Sequence, residues 1–304
     1  MKNLTLRELR SFAAVAKHRS FTAAAEALHL SQPAVSMQVR QLEQRVGLPL
    51  FEKLGRGSQL TGAGRELLRY ASAVSELLRE AEEAIAALKG AGGGEVQIGV
   101  VSTAEYFAPK LVAEFRREHP QAKVRLAVSN REAVVRELTD NTVDLAIMGR
   151  PPRGLDTVAA PFARHPLAFI AAPGHPLAAR RRLPLARLGQ ETFIVRERGS
   201  GTRAAMEQFF AERGFKPGAT LEMSSNETIK QAVMAGMGVS FLSMHTIGLE
   251  RSTGRIAELQ LAGTPVMRDW YVIHREKKRL SPAALAFKQF LLAQGAKLIA
   301  RSVG

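Results

Sequence analysis

Apolar residues recur at helical spacing through the first ninety positions. Leu6, Leu9, Phe12, Ala13 and Ala16 share one face of a helix predicted over 5–17. Ala23, Ala24, Ala27 and Leu28 give a second, short helix a small apolar face, and Leu30 occupies the turn after it. Ser31 is placed to cap a third helix carrying Pro33 in its first turn. Along that helix Val35, Val39, Leu42 and Val46 step by four, three and four. This leaves Gln32, Pro33, Ser36, Met37, Arg40 and Gln41 on its outer face. Two helices joined this tightly make either an αα-hairpin of a bundle or a helix-turn-helix, which presents the N-terminal end of its second helix to a major groove. The stretch 51–61, FEKLGRGSQLT, favours the second. Its two glycines around Arg56, with Lys53 close by, supply the turn and the cations of a β-wing.

From 61 to 89 the positions Leu67, Ala71, Val74, Leu78, Ala81, Ile85 and Leu88 alternate steps of four and three, a heptad seam that calls for a partner helix or for burial on its own domain. Residues 90–94, GAGGG, end this helix as a hinge. No strand precedes them and no Lys-Ser/Thr follows, so they do not form a phosphate-binding loop.

Beyond 95 the period changes. Strands are predicted at 96–101, 123–129 and 143–149 with helices at 104–119 and 131–138 between them, the order of an α/β unit with a parallel sheet. A second lobe, 161–265, carries strands at 167–173, 193–197, 221–225 and 238–243, a helix after Gly201 and another over 227–235. The strand 267–274 and the helix 282–294 return to complete the first lobe. The expected division is therefore a winged helix-turn-helix domain (1–60), a linker and dimerisation helix (61–89), a hinge (90–94), lobe I (95–160 and 266–304) and lobe II (161–265). The fold class is a two-lobed α/β region behind an all-α winged domain. Two crossings between lobes make a cleft.

Ligands of open α/β sheets sit beyond the carboxyl ends of strands, at helix N-termini. Three junctions meet that rule. Ser102 and Thr103 follow the first strand, and Thr103 is expected to cap the next helix. The segment Gly199-Ser200-Gly201-Thr202-Arg203 opens a helix in lobe II, with Arg198 and Arg203 adding charge. Ser224 and Glu227 have capping-box spacing around Asn226 and Thr228. Arg150 ends the third strand of lobe I, aimed at the same space. Each junction is also explained by helix capping alone. Arg131, Arg136, Arg196 and the run Arg180 to Arg182 read as solvated surface charge.

Composition sharpens the picture. The chain has 304 residues, a formal net charge of +15 and no cysteine, which removes disulfides, thiolate metal sites and cysteine nucleophiles. Up to Arg65 there are ten Lys/Arg against four Asp/Glu, so +9 of the charge lies beyond the winged domain and fits small anions there as well as a polyanion at the N-terminus. The N-terminus lacks the apolar core of a signal peptide and no run is apolar enough for a bilayer, so a cytoplasmic protein without membrane contact is expected.

The segment LTLRELRSFAAVAKHRSFTAAAEALHLSQPAVSMQVRQLEQRVGLPLFEK resembles the N-terminal domain of LysR-type transcriptional regulators. The resemblance implies that Gln32, Pro33 and Ser36 touch bases or adjacent phosphates, with Met37, Arg40, Lys53 and the wing residue Arg56 completing the DNA face. Met37 stands where the family often carries arginine or lysine. It also implies an effector half of the periplasmic-binding-protein type II arrangement, binding to double-stranded promoter DNA, a homodimer or a dimer of dimers, and contact with RNA polymerase. The segments GSGTRAAMEQFFAERGF, MSSNETIKQAVMAGMGVSFLSMHTIGLE and RDWYVIHREKKRLSPAALAFKQFL resemble the CbbR subgroup, regulators of RuBisCO and Calvin-cycle operons. That subgroup implies an effector that is a phosphorylated metabolite or nucleotide; no cofactor is expected, and the candidate effector-binding residues read from the strand ends and helix starts are Ser102, Thr103, Arg150, Arg198, Gly201, Thr202, Arg203, Asn226, Glu227 and Thr228. Rival readings are a LysR-type regulator answering a non-phosphorylated organic acid, a solute-binding protein and an enzyme. His165, His175, His245 and His274 stand alone in sequence, and no G-x-S-x-G or Walker motif is present, which disfavours the last.

Overall fold

The computed structural model describes residues 4–54, 57–88 and 94–303. Arg56 and the hinge residues 90–93 lie outside the described residues, as does the side chain of Lys53. The chain divides into two units, one formed by 1–85 with 140–142 and the other by 86–139 with 143–304.

In the first unit, helix α1 (Leu6–His18) starts at Thr5, whose hydroxyl accepts from the Glu8 N–H while the Glu8 carboxylate accepts from the Thr5 N–H at 2.9 Å. This reciprocal box satisfies two donors that a helix start otherwise leaves open. Helices α2 (Phe21–Leu28) and α3 (Gln32–Val46) are capped by Ser20 and Ser31. Phe12, Val15, Ala24, Val35, Val39 and Leu42 form their shared core. Strands β1 (Phe51–Leu54) and β2 (Gly57–Leu60) pair antiparallel and place Phe51 against Phe12 and Phe21. Helix α4 (Gly62–Leu88) follows. Its start passes so near β1 that a Cβ on Gly64 would lie 2.1 Å from the Leu50 carbonyl oxygen, which accounts for glycine there. The seam on α4 is divided: Leu67, Ala71 and Val74 pack on the helix-turn-helix core, while Ala81 and Ile85 are exposed, as are Tyr70 and Leu77 beside the seam.

The second unit is one mixed sheet. Strands β3 (Glu95–Val101), β4 (Lys123–Ser129) and β5 (Leu145–Met148) are mutually parallel in the order β4-β3-β5. Strands β7 (Thr192–Arg196), β8 (Ala219–Met223) and β9 (Val239–Ser243) repeat this as β9-β7-β8. Between the two trios run the long strands β6 (Thr157–Ala171) and β11 (Val266–Arg275), antiparallel to each other and to their neighbours, with short β10 (Ala257–Leu259) on β6. The parallel sheet expected from the βα alternation is thus corrected to a mixed one. Alternation reports only strands joined by crossover helices, whereas β6 and β11 meet across about a hundred residues of sequence.

Two cores flank the crossing. The first gathers β3, β5, α5 (Ala108–Glu118), α6 (Arg131–Thr139), α10 (Pro282–Phe290) and α11 (Ala296–Val303) around Phe107, Phe115, Trp270 and Phe287. The second gathers β7, β9, α7 (Gly201–Ala211) and α8 (Asn226–Met234) around Phe169, Phe193, Phe209 and Ile229, and the short α9 (Gly248–Ser252) follows β9. Strand β6 passes from one core to the other between Ala163 and Leu167, and β11 between Val266 and Trp270.

Two capping expectations change. Thr103 lies in a short 3-10 turn, and α5 begins four residues later without a side-chain cap. Helix α8 is capped by Ser225, whose hydroxyl accepts from the Thr228 N–H, rather than by Ser224.

Candidate functional sites: the outer face of α3 and a basic cleft

Helix α3 buries one side and offers the other. Gln32, Pro33, Met37, Arg40 and Gln41 are exposed, and Pro33, Ser36, Met37, Arg40, Gln41 and Gln44 line a shallow groove. The Gln32 amide donates to the Ser36 hydroxyl at 2.9 Å, which holds both polar groups at the N-terminal end of the helix. The helix is braced from behind: Ser11 donates to Gln38, and Arg45 pairs with the buried Glu8 at 2.9 Å.

The second site is a cavity of about 290 Å³ at the crossing between the two cores. Its wall is built from strand ends and helix starts of both lobes: Ser102 and Thr103 after β3, Asn130 and Arg131 at the start of α6, Gly149 and Arg150 after β5, and Ser200, Gly201 and Thr202 at the start of α7. His165 on β6, Arg196 on β7 and Arg268 on β11 also line it, and the exposed Arg153 lies at its edge. Asn130 caps α6 by accepting from the Ala133 N–H at 2.9 Å, and Ser200 caps α7. Two helix N-termini, one from each lobe, therefore add positive potential to the same space.

The charges are unequally balanced. Arg196 is buried and fully engaged: it pairs with Glu197 at 2.8 Å, donates to Asn226 Oδ1 at 2.5 Å and donates to the Ser102 hydroxyl at 3.0 Å. Arg131 donates to the carbonyls of Arg150 and Pro151, and Arg150 reaches Gln208 at 3.5 Å. Among the described residues, Arg131, Arg150 and Arg268 have no carboxylate partner. Burial, with Arg268 and Arg150 nearby, lowers the Arg131 pKa, and burial with Arg150 lowers that of Arg268. Three guanidinium groups that repel one another inside a partly dehydrated cavity make a receptor for an anion with more than one charged oxygen.

Of the residues singled out in the sequence, Ser102, Thr103, Arg150, Gly201 and Thr202 line this cavity. Arg198 and Arg203 line a neighbouring open groove of about 660 Å³, where Arg203 is held by Glu207 and Glu222. Asn226 and Glu227 join the lobes: Asn226 donates to the Ser102 carbonyl at 3.2 Å, and Glu227 accepts from the Tyr106 hydroxyl at 2.6 Å and pairs with Lys230. Thr228 is exposed outside the cavity. Arg196, read as surface charge, is 3% exposed, and Arg131, read likewise, lies in the cavity wall; Arg136 and Arg180 to Arg182 are solvated. The strand-end rule applied to β4 would have found Asn130 and Arg131. Arg268 and His165 carry no local signal, because they become neighbours only through the register that sets them opposite each other on β11 and β6. Among the described residues no group of three His, Asp or Glu is placed to hold a metal, and no helix is long and apolar enough to cross a membrane.

A winged helix-turn-helix followed by a two-lobed α/β unit with a basic interlobe cleft defines a DNA-binding transcriptional regulator of the ligand-responsive class. The chain belongs to the LysR family: residues 6–65 match the family of bacterial regulatory helix-turn-helix proteins, lysR family, and residues 89–296 match the LysR substrate binding domain. It is 52% identical over 299 residues to a RuBisCO operon transcriptional regulator of Allochromatium vinosum, covering 98% of this chain and 99% of that one. To the HTH-type transcriptional regulator CfxR of Cupriavidus necator it is 50% identical, over all of this chain and 96% of CfxR. Among solved structures, the regulatory domain of Synechocystis CcmR in complex with 2-PG matches 66% of this chain and 96% of that domain, at 38% identity and a TM-score of 0.64. Full-length CbnR complexed with its target DNA matches 94% of this chain and 98% of that chain, at 25% identity and a TM-score of 0.69.

Proposed function

We propose that this regulator controls carbon-fixation genes of the RuBisCO and Calvin-cycle type, and that its cleft senses a phosphorylated metabolite or nucleotide. The observation that carries the ligand class is the trio Arg131, Arg150 and Arg268, without carboxylate partners, facing two helix N-termini. The relative at 52% identity named as a RuBisCO operon transcriptional regulator supports the gene target. In this reading Gln32, Pro33, Ser36, Met37 and Arg40 contact promoter DNA, with Lys53 and Arg56 of the wing adding salt-dependent affinity. Ser102, Thr103, Arg150, Gly201 and Thr202 contact the effector, Arg198 and Arg203 raise the potential at its mouth, and Asn226, Glu227 and Thr228 transmit occupancy between the lobes. The protein acts in the cytoplasm as a homodimer or dimer of dimers paired through α4, engages RNA polymerase at the promoter, and binds its ligand without turning it over.

The reading is tested by the melting temperature of the purified protein against ribulose 1,5-bisphosphate, phosphoenolpyruvate, ATP, NADPH and non-phosphorylated organic acids, because a ligand of the native state raises it by mass action. A selective rise with a phosphorylated compound, lost in Thr202→Ala or Asn226→Ala while operator affinity is kept, is the expected result. A rise only with an organic acid would reassign the effector and the operon. Gln32→Ala is expected to relax base preference at the operator; an equal loss for all sequences would remove its reading role.

A further inference from the structure

His165 stands on β6 at the passage between the cores, in register with Arg268, and forms part of the cleft wall. Its imidazole is 5% exposed and lies flat on Trp270, ring centroids 3.9 Å apart at 15°. Neither ring nitrogen has a hydrogen-bond partner, and both are closed to solvent. A buried polar atom in that condition is rare in a folded protein and calls for an explanation. The stacked His245, whose Nδ1 accepts from the indole N–H of Trp270 at 3.1 Å, makes no hydrogen bond to His165. Burial, with His245 and Arg268 close by, holds the His165 pKa well below the usual imidazole range. The ring is therefore neutral near pH 7 and offers one donor and one acceptor. The arginines in the same wall offer donors only, suited to charged oxygens. A neutral imidazole has the opposite complement: its acceptor nitrogen fits a hydroxyl and its N–H fits a hydroxyl or carbonyl oxygen.

We propose that His165 is a specificity-determining residue of the cleft, a ring nitrogen bonding an uncharged hydroxyl or carbonyl of the ligand while Arg131, Arg150 and Arg268 hold its anionic groups. The proposal rests on the reading of the cleft as an anion site. Because both nitrogens are closed off, the bond forms as the wall shifts around the entering ligand, and it distinguishes a hydroxylated sugar phosphate from a bare phosphate anion.

The test compares ribulose 1,5-bisphosphate with pyrophosphate, which carries charge but no alcohol hydroxyl or carbonyl, by calorimetric titration of the full chain. His165→Phe keeps the stacking on Trp270 and removes both nitrogens; His165→Gln restores a donor and an acceptor. The expected result is a loss of about three- to tenfold for ribulose 1,5-bisphosphate in His165→Phe, in line with one neutral hydrogen bond. His165→Gln should recover affinity, and pyrophosphate binding should not change. Equal losses for both probes, or no loss for either, would overturn the proposal. If pyrophosphate binding falls in Arg268→Gln while His165→Phe leaves both probes untouched, the cleft reading stands and the role of His165 falls alone. If neither probe binds the wild-type protein, the anion reading falls and takes this one with it. Should His165→Phe fail to fold, the ring nitrogens of the wild-type protein are followed by ¹⁵N NMR: a shift with the sugar bisphosphate and none with pyrophosphate supports the assignment, and equal or absent shifts refute it.

Discussion

Replacing Gly149 by alanine probes the cleft wall from behind. An ideal Cβ there would lie 2.7 Å from His165 Nδ1 and 3.1 Å from Cε1, whereas ordinary contact begins near 3.4 Å, so the ring or the strand end must yield by about 0.7 Å. Gly149 has no positive φ, so the cost is steric rather than conformational. Retreat of the imidazole is blocked by Trp270, which is itself fully buried, packed edge-on against Phe107 at 5.0 Å and tied to His245. Overpacking of this kind costs about 1–3 kcal/mol. The assay is urea denaturation followed through Trp270, the single tryptophan of the chain, which reports on the effector unit alone. If the His165 ring is the obstacle, Gly149→Ala should cost less than about 0.5 kcal/mol in a His165→Ala background, a coupling of about 1–2 kcal/mol in the double-mutant cycle. An equal cost in both backgrounds would refute the argument, since the strain would then lie elsewhere.

Other outcomes follow from the same geometry. Arg268→Gln is expected to act with opposite signs. Without ligand the effector unit keeps its stability or gains up to about 1 kcal/mol as like-charge repulsion falls. Pyrophosphate affinity in titration drops about tenfold or more; a clear loss of stability would show that Arg268 has a structural partner. His245 is held at a pKa of about 4 by burial and is neutral in the folded state, while the unfolded chain takes up its proton near 6.5. Its contribution is thus complete above pH 6.5 and is lost as the pH falls toward 4, amounting to about 2 kcal/mol between pH 7 and 5. Urea midpoints at these pH values should show this slope, reduced in His245→Asn. Ser31→Ala removes the cap of α3 and is expected to cost about 1 kcal/mol in the winged domain, read by circular dichroism melting, without moving the Trp270 transition.

How much was legible in the sequence depended on the distance over which each feature is specified. The helix-turn-helix rests on neighbours three and four apart and on the cap at Ser31, so periodicity and that capping residue located it within a residue or two, while the cap at Ser20 was seen only in the structure. The βα junctions at Ser102 and Gly201 and the strand end at Arg150 were likewise readable, because the carboxyl end of a strand is a local pattern that places a residue at the cleft. Thr103 misled as a cap because the chain inserts a 3-10 turn before α5, a choice made by the burial of Ala104 and Phe107 rather than by capping chemistry.

Pattern and composition by themselves determined the winged domain, the linker helix, the two α/β lobes and the excess of positive charge. The tertiary structure alone decided which arginines reach the cavity. Arg196 and Arg131 read as surface residues from their immediate neighbours, yet one is locked between Glu197, Asn226 and Ser102 and the other is aimed into the cavity. Arg268 and His165 face the cleft because β11 and β6 pair antiparallel across about a hundred residues. Strand register over such a separation is set by the packing of both cores at once, and no local preference of the chain encodes it.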